Sequence, residues 1–295
     1  MHSDAVVPDK EADWTFHESQ LLSSAPILSL PNHYRSPGCS FYIRGHFSVE
    51  TYFRLVLPEL LPAYQKILYL DSDMVVESDV AELYNENIES FLLGACHDAD
   101  TAGLYNGYEP NKKAYMDQVL KLKKPYMYFQ AGTLLMNLEE FRKVYTVEEK
   151  LKYATSQKFQ LLDQDILNKL CEGSVRYLDM AWNMMVDYAG IRKNQIVVKA
   201  PAWLNEMYLE ARKKPKIIHY AGSEKPWYHP EMDFGETFWN YARKTPYYEE
   251  LVRDMALYSI REAEEKCKWS RKIVGGIRCV KEHGVRYTVK YILKK

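Results

Sequence analysis

The chain has 295 residues, 47% of them hydrophobic, with 39 Lys or Arg against 40 Asp or Glu. That is enough apolar material for a sizeable globular core, and a net charge of −1 carries no basic excess, so no nucleic-acid partner is expected. No run approaches the ~18 apolar residues that cross a bilayer, and the opening M-H-S-D-A-V-V-P-D-K has no basic segment followed by an apolar one, so neither a membrane-spanning helix nor a signal peptide is read. Five scattered cysteines, Cys39, Cys96, Cys171, Cys267 and Cys279, form no C-x-x-C pair. They argue against a disulfide framework or zinc site and for reduced thiols in a cytoplasmic protein. The charge is unevenly spread. From Lys266 to Lys295 there are ten Lys or Arg against Glu282 alone, so the tail carries +9 and the rest −10.

Residues 1–40 read as a polar, acid-rich opening with a short helix near Glu11 to Leu22, followed by one short strand in A-P-I-L-S-L-P. Ser48 is expected to cap a helix through Leu57, which carries Arg54 and is ended by Pro58. Ile67 to Leu70 then read as a buried strand. If the extended geometry continues, the period of two sets Asp71 and Asp73 on one side with Ser72 pointing away. A carboxylate pair at the carboxyl edge of a sheet suits a divalent cation that also holds phosphate oxygens. D-x-D alone is weak, because it recurs at Asp98/Asp100 and Asp163/Asp165. Its bland reading is a turn of solvated acids.

S-D-V-A-E-L-Y reads as a capped short helix and F-L-L-G-A-C-H-D as a buried strand ending at Asp98. Residues 101–125 read as a loop and an amphipathic helix, a connection long enough to act as a lid. In Y-M-Y-F-Q-A-G-T-L-L-M-N-L, Ala131 and Gly132 interrupt a strand-like run, which suggests close approach by a ligand or another backbone. Glu139 to Phe159 is helical in pattern. D-Q-D-I-L-N-K-L-C-E-G reads as a short helix with Asp163, Gln164 and Asp165 in its first turn and Gly173 past its end. S-V-R-Y-L-D and P-K-I-I-H-Y read as strands, and the alternation predicts a mostly parallel α/β sheet flanked by helices. His219, at a strand end, joins the two carboxylates as a ligand set suited to manganese. A strand-end histidine is more often a packing residue. Gly222 leaves room for a ligand near the backbone, and Lys225 offers a compact cation to phosphate. An ordinary turn with a solvated lysine is the plain alternative.

The ordered series T-Y-F-R-L, K-I-L-Y-L-D-S-D, G-A-C-H-D, Y-F-Q-A-G-T-L-L-M-N-L, D-Q-D-I-L-N and H-Y-A-G-S-E-K-P-W resembles the family 8 glycosyltransferases, which include bacterial lipopolysaccharide galactosyl- and glucosyltransferases and glycogenin. The resemblance implies a Rossmann-like GT-A fold, with a catalytic domain over residues 41–240 and a helical appendage over 241–295, basic from 266. It also implies a UDP-sugar donor and retaining transfer. Matching motifs assign Asp71, Asp73 and His219 to Mn2+ or Mg2+, and Gly222 and Lys225 to the donor diphosphate. They place Arg54, Asp98, Ala131, Asp163 and Gln164 around the donor sugar. Gln164 is expected to orient the reacting sugar, with Asp163 the runner-up for a direct role. Many members have N-A-G or N-S-G in place of Gln130-Ala131-Gly132. Members also usually open with a base-binding segment resembling A-x-D-x-x-Y, which is not visible here, so either the chain is truncated or residues 1–26 replace it. The expected function is transfer of a hexose to a glycan or lipid-linked acceptor in cell-surface polysaccharide synthesis. The alternative is an impaired homologue that binds a sugar or a partner. In the tail, Trp269, Ile273, Ile277 and Val280 fall on one helical face among basic residues, a pattern of peripheral attachment to an anionic membrane surface on the inner face of the cell membrane or of ordinary packing on the main domain.

Overall fold

The structure is a computed structural model that describes residues 41–42 and 49–283, with consecutive side chains up to Cys267. The expectations for residues 1–40, the Ser48 cap and the residues beyond His283 lie outside the described residues. Seven strands are described: β1 (Lys66–Leu70), β2 (Met74–Val76), β3 (Leu93–His97), β4 (Phe129–Asn137), β5 (Val175–Tyr177), β6 (Met184–Met185) and β7 (Ile217–His219). They form one sheet in the order β1-β4-β3-β5 and a second in the order β2-β7-β6.

The α/β class stands, but the parallel bias does not. Among the described pairings, β1–β4, β3–β4 and β2–β7 are antiparallel, and only β3–β5 and β6–β7 are parallel. The reason lies in residues 98–128. His97 pairs with Phe129, so this connection leaves and re-enters the same end of the sheet. It is an elaborated hairpin rather than a crossover, and β4 must run against β3. The connection is also more helical than a loop followed by a helix. It holds short helices at Ala99–Gly103 and Lys112–Tyr115, a π-helical turn at Met116–Leu120, and between them a segment, Leu104–Tyr108, that kinks at Gly107 with φ of 95°.

Local chemistry sets the helices. Asp79 caps α1 (Val80–Tyr84), and Asp98 caps α2 (Ala99–Gly103) by accepting from the Thr101 N–H at 2.7 Å. The helix expected over 139–159 is two: α3 (Leu138–Val144) is capped by Asn137, and α4 (Val147–Ala154) by a capping box of Thr146 and Glu149 that stops the first and starts the second. α5 (Leu162–Leu170), α6 (Ala202–Lys213), α7 (Gly235–Ala242) and α8 (Tyr248–His283) follow. Pro58 does not end a helix. Val49–Leu55 is a 3-10 helix, and Pro58 sits in the first turn of the next one, Leu57–Leu60, where its missing N–H costs nothing. Nor do Ala131 and Gly132 interrupt β4, which runs unbroken through both.

Buried residues of β3 and β4 and of α5, including Leu93, Ala95, Leu134, Met136, Ile166 and Leu167, make the largest cluster. A second gathers around Ile218 of β7, Met184 of β6 and Leu204 and Tyr208 of α6. Between them a small group takes Cys96 from the first sheet and Ile217 from the second, with Trp182 and Leu83. At roughly 1.5–3 kcal/mol for each fully buried large aliphatic side chain, these clusters hold the two sheets together. None of the described side chains of α8 up to Cys267 is buried; Tyr258 stacks on Tyr228 with ring centroids 4.4 Å apart.

Candidate active site

The two sheets meet at D-S-D. The Asp71 N–H still donates to the Gly132 carbonyl of β4 at 2.8 Å, while the Asp73 carbonyl already accepts from the Tyr220 N–H just past β7 at 3.0 Å. In three residues the chain leaves one sheet and enters the other, and Ser72 is exposed while both aspartates are half-buried. Met74 pairs with His219, which brings the imidazole to the same corner. Ligand atoms of Asp71, Asp73 and His219 all lie within 4.8 Å of one another. His219 Nε2 is 3.1 Å from Asp73 Oδ1 and 3.8 Å from Asp71 Oδ2. Two carboxylates and one imidazole are a donor set that fits a manganese-like divalent cation. Gly132 makes room for the His219 ring: a Cβ there would stand 2.5 Å from His219 Cε1. The close approach expected at Ala131-Gly132 is therefore by the ring of His219.

Asp73 faces the Lys225 ammonium and the His219 imidazole. Its Oδ2 accepts from the Lys225 ammonium, which also donates to the Tyr220 carbonyl at 2.8 Å. Burial pushes the Asp73 carboxyl up, but His219 and Lys225 outweigh it and hold the group well below the usual carboxylate range. Gly222, three residues past His219, has φ of 113°, a left-handed backbone that favours glycine, and no atom would touch a Cβ there.

Arg54 is the hub of the other half. Its Nη1 donates to the Ala131 carbonyl at 2.8 Å and its Nη2 to Tyr69 Oη at 2.8 Å and Asp71 Oδ1 at 3.1 Å, while its Nε lies 2.8 Å from Asp163 Oδ2. Tyr69 also donates to Asp71 Oδ1, at 2.9 Å. Thr51 donates to the other oxygen of Asp163. Burial pushes the Asp163 carboxyl up to about 6, against the pull of Arg54 and Thr51. Asp163 follows Leu162, a fully buried leucine at φ 44°, a rare backbone for a bulky residue and a strained entry to α5. Gln164 accepts from the Ala131 N–H at 2.9 Å, and its amide donates to Asp98 Oδ2 at 3.2 Å. Asp98 is buried and also accepts from the Thr101 N–H and hydroxyl. Asp165 faces away from this group, bound by the hydroxyls of Tyr115 and Tyr128 at 2.6 Å each. The third D-x-D thus splits into one aspartate for the site and one for the core.

Nine of the ten residues singled out in the sequence fall into two bonded groups. In the first, Arg54 contacts Asp71, Asp163 and Ala131, Ala131 contacts Gln164, and Gln164 contacts Asp98; in the second, Asp73 contacts His219 and Lys225, and Gly222 flanks it on the chain. Sequence reasoning missed Tyr69, Thr51 and Asn183. Tyr69 carried a signal, because the period of two that aligns Asp71 with Asp73 also aligns Tyr69 with Asp71. Asn183 offers its carbonyl Oδ1 to His219 Nδ1 at 2.9 Å, lies on a 3-10 turn, and had no local pattern to reveal it.

Comparison with known proteins gives the context. The description "Glycosyl transferase family 8" matches residues 42–230, well over half the chain. A putative glycosyltransferase of Haemophilus influenzae is 29% identical over 189 residues, which cover 62% of this chain and 50% of that protein. The lipopolysaccharide 1,2-glucosyltransferase of Escherichia coli is 23% identical over 185 residues, 62% of this chain and 50% of that one. This chain thus spans about half the length of these curated relatives. Among solved structures, the bifunctional glycosyltransferase WbbM in its apo form superposes with a TM-score of 0.65 at 31% identity, over 71% of this chain and 38% of that one. An active-site mutant of LgtC gives 0.54 at 26% identity, over 70% of this chain and 71% of that one. With this α/β architecture and these neighbours the fold is GT-A, and the chain belongs to glycosyl transferase family 8.

Proposed function

We propose that the chain transfers a hexose from a UDP-sugar to a glycan or lipid-linked acceptor, with retention of anomeric configuration, in the synthesis of lipopolysaccharide or another cell-surface polysaccharide. The observation that carries this reading is the convergence of Asp71, Asp73 and His219 with the Lys225 ammonium in a family 8 fold. Asp71, Asp73 and His219 would hold Mn2+, with Mg2+ as a substitute, and the bound cation would supply positive charge for a departing diphosphate. Lys225 adds a second, movable charge for the same phosphate oxygens. The open left-handed turn at Gly222 lets the backbone approach them.

Arg54 and Asp98 act on the sugar side by holding the Ala131 backbone and Gln164 in place. Gln164 is the better candidate beside the reacting carbon, because Thr51 donates to one oxygen of Asp163 and the Arg54 guanidinium stands 2.8 Å from the other. Asp163 then orients Arg54 instead of attacking. With no free carboxylate nucleophile in the group, retention follows from attack by the acceptor hydroxyl on the face the diphosphate leaves. A cleft of about 450 Å3 beside Gly222, lined by Tyr188, Glu224, Tyr258 and Glu262, offers aromatic faces and carboxylate acceptors to a neutral acceptor sugar. None of the described helices is long and apolar enough to cross a membrane. The basic tail from Lys266 would instead hold the enzyme against an anionic surface.

The test is calorimetric titration of the protein with UDP in the presence and absence of Mn2+, followed by incubation with UDP-hexoses and NMR of the product anomer. Metal-dependent UDP binding and a product of retained configuration are expected. UDP binding indifferent to metal, or an inverted product, would overturn the reading.

A further inference from the structure

The tautomer of His219 follows from a chain of hydrogen bonds that begins at the backbone. The Gly132 N–H can only donate, and it meets the side-chain amide of Gln130, so the atom it meets is the carbonyl Oε1. That oxygen lies 2.6 Å from the side chain of Asn183, which must therefore present its NH2 group. The other end of the Asn183 amide is then the carbonyl Oδ1, and it stands 2.9 Å from His219 Nδ1. A carbonyl oxygen can only accept, so Nδ1 carries a hydrogen. All three side chains are buried, with relative exposures of 9% for Gln130, 3% for Asn183 and 2% for His219, so no bulk water offers an alternative partner. The ring cannot tilt to escape this bond toward β4, because the Gly132 backbone lies against it.

With Nδ1 committed, Nε2 is the nitrogen turned toward Asp73 and Asp71. A bare Nε2 lone pair 3.1 Å from a carboxylate oxygen is repulsive unless a cation or a proton stands between them. We propose that Gln130 and Asn183 are positioning residues that lock His219 as the Nδ1–H tautomer and present Nε2 to a divalent cation. This rests on the metal site proposed above. It gives Gln130 a role that differs from holding sugar hydroxyls: its carbonyl curls back onto the N–H of Gly132 and faces Asn183. Asn183 itself touches neither carboxylate and works only through the imidazole. Ligating histidines are commonly oriented in this way by an acceptor on their second nitrogen, and removal of such an acceptor weakens metal binding by about 10- to 100-fold.

The test uses two substitutions at Gln130 with opposite chemistry. Gln130→Met keeps the volume and removes the acceptor, while Gln130→Glu keeps an acceptor for both the Gly132 N–H and the Asn183 NH2. Binding of Mn2+ alone is measured by loss of the free-ion electron paramagnetic resonance signal, and urea unfolding checks each fold. Asn183→Ala and Gln130→Met are expected to bind Mn2+ about tenfold or more weakly than the parent, and Gln130→Glu within about threefold of it or tighter. A purely structural role would make Gln130→Met the milder change. Parental Mn2+ affinity in Gln130→Met, or equal loss in Gln130→Glu, would overturn the relay while leaving the metal site standing. Failure of the parent to bind Mn2+ at all would overturn both, and is read separately from the first protein tested. Should Asn183→Ala not fold, the Gln130 pair decides the matter alone.

Discussion

The two halves of the site solve opposite electrostatic problems. Around Arg54, the guanidinium meets Asp71, Asp163, Tyr69 and the Ala131 carbonyl, and its side chain is 11% exposed. The guanidinium's charge is met within the protein, and Asp71 is the carboxylate this half shares with the other. Around Asp73, a carboxylate is matched by Lys225 and His219, a lysine on a flexible stem and an imidazole whose charge depends on what faces it. A divalent cation placed between Asp71, Asp73 and His219 would stand close to the Lys225 ammonium, and like charges at such range repel. With such a cation bound, Lys225 would release Asp73, and an incoming diphosphate would be a partner of the right sign to receive it. On the proposed function the first half would serve as a scaffold and the second as an exchange site. Each should respond differently when one member is removed.

Breaking the scaffold should have the largest effect. Arg54→Met leaves Asp163 buried without its cation, and loss of one partner of a buried pair costs about 3–5 kcal/mol. Urea unfolding should show a loss of this size, and a loss below about 1 kcal/mol would show that Asp163 needs no partner.

The exchange site should lose function and keep its fold. Asp73→Asn is expected to abolish metal-dependent UDP binding while leaving the fold intact, because it removes one anionic ligand and adds no bulk. Activity within threefold of the parent at saturating Mn2+ would remove Asp73 from the ligand set. Lys225→Ala should lower kcat/KM by an amount equivalent to about 2–4 kcal/mol, the range for one preorganised contact at developing charge. An unchanged kcat/KM would remove Lys225 from the site.

A finer contrast is available through pH. Asp163 titrates at about 6 in the folded protein, against about 3.9 in an unfolded chain. Between these values the folded state holds a proton that the unfolded state lacks, so this group's contribution to stability falls as pH rises from about 4 to about 6. The stability of the parent relative to Asp163→Asn should decline over that window in urea unfolding at several pH values. Parallel curves would mean that Asp163 is already ionised throughout. The smallest effect should come from the tail. Truncation after Glu265 should remove salt-sensitive sedimentation with anionic vesicles, at about 1 kcal/mol for each nearby cation, and leave UDP affinity unchanged. Equal partition to neutral and anionic vesicles would assign the tail to packing.

The exchange site was more legible in the sequence than the scaffold that supports it. Asp71, Asp73 and His219 each stand at the end of an apolar run, where the period of two and the strand terminus give direction without any knowledge of the partner. Asp163 and Gln164 were marked by the first turn of a well-bounded helix. Arg54 was noticed, but its bonds to Ala131 and Asp163 join positions 77 and 109 residues apart in the chain, and no local pattern encodes such pairs. Asn183 was invisible for the same reason. The antiparallel course of β4 was hidden by the helical turns of residues 98–128, which imitate a crossover. Gln130 was marked by resemblance as a departure, yet only its contact with the Gly132 N–H shows which way it faces.

Titration with Mn2+ in the absence of nucleotide, comparing the parent with Lys225→Ala, tests the exchange site most directly. Removing the ammonium removes the cation that competes for Asp73, so Lys225→Ala should bind Mn2+ more tightly than the parent while binding UDP more weakly once Mn2+ is present. Equal or weaker Mn2+ binding by Lys225→Ala would mean that Lys225 and the metal do not exchange at Asp73, and would contradict the division of the site into a fixed half and an exchanging one.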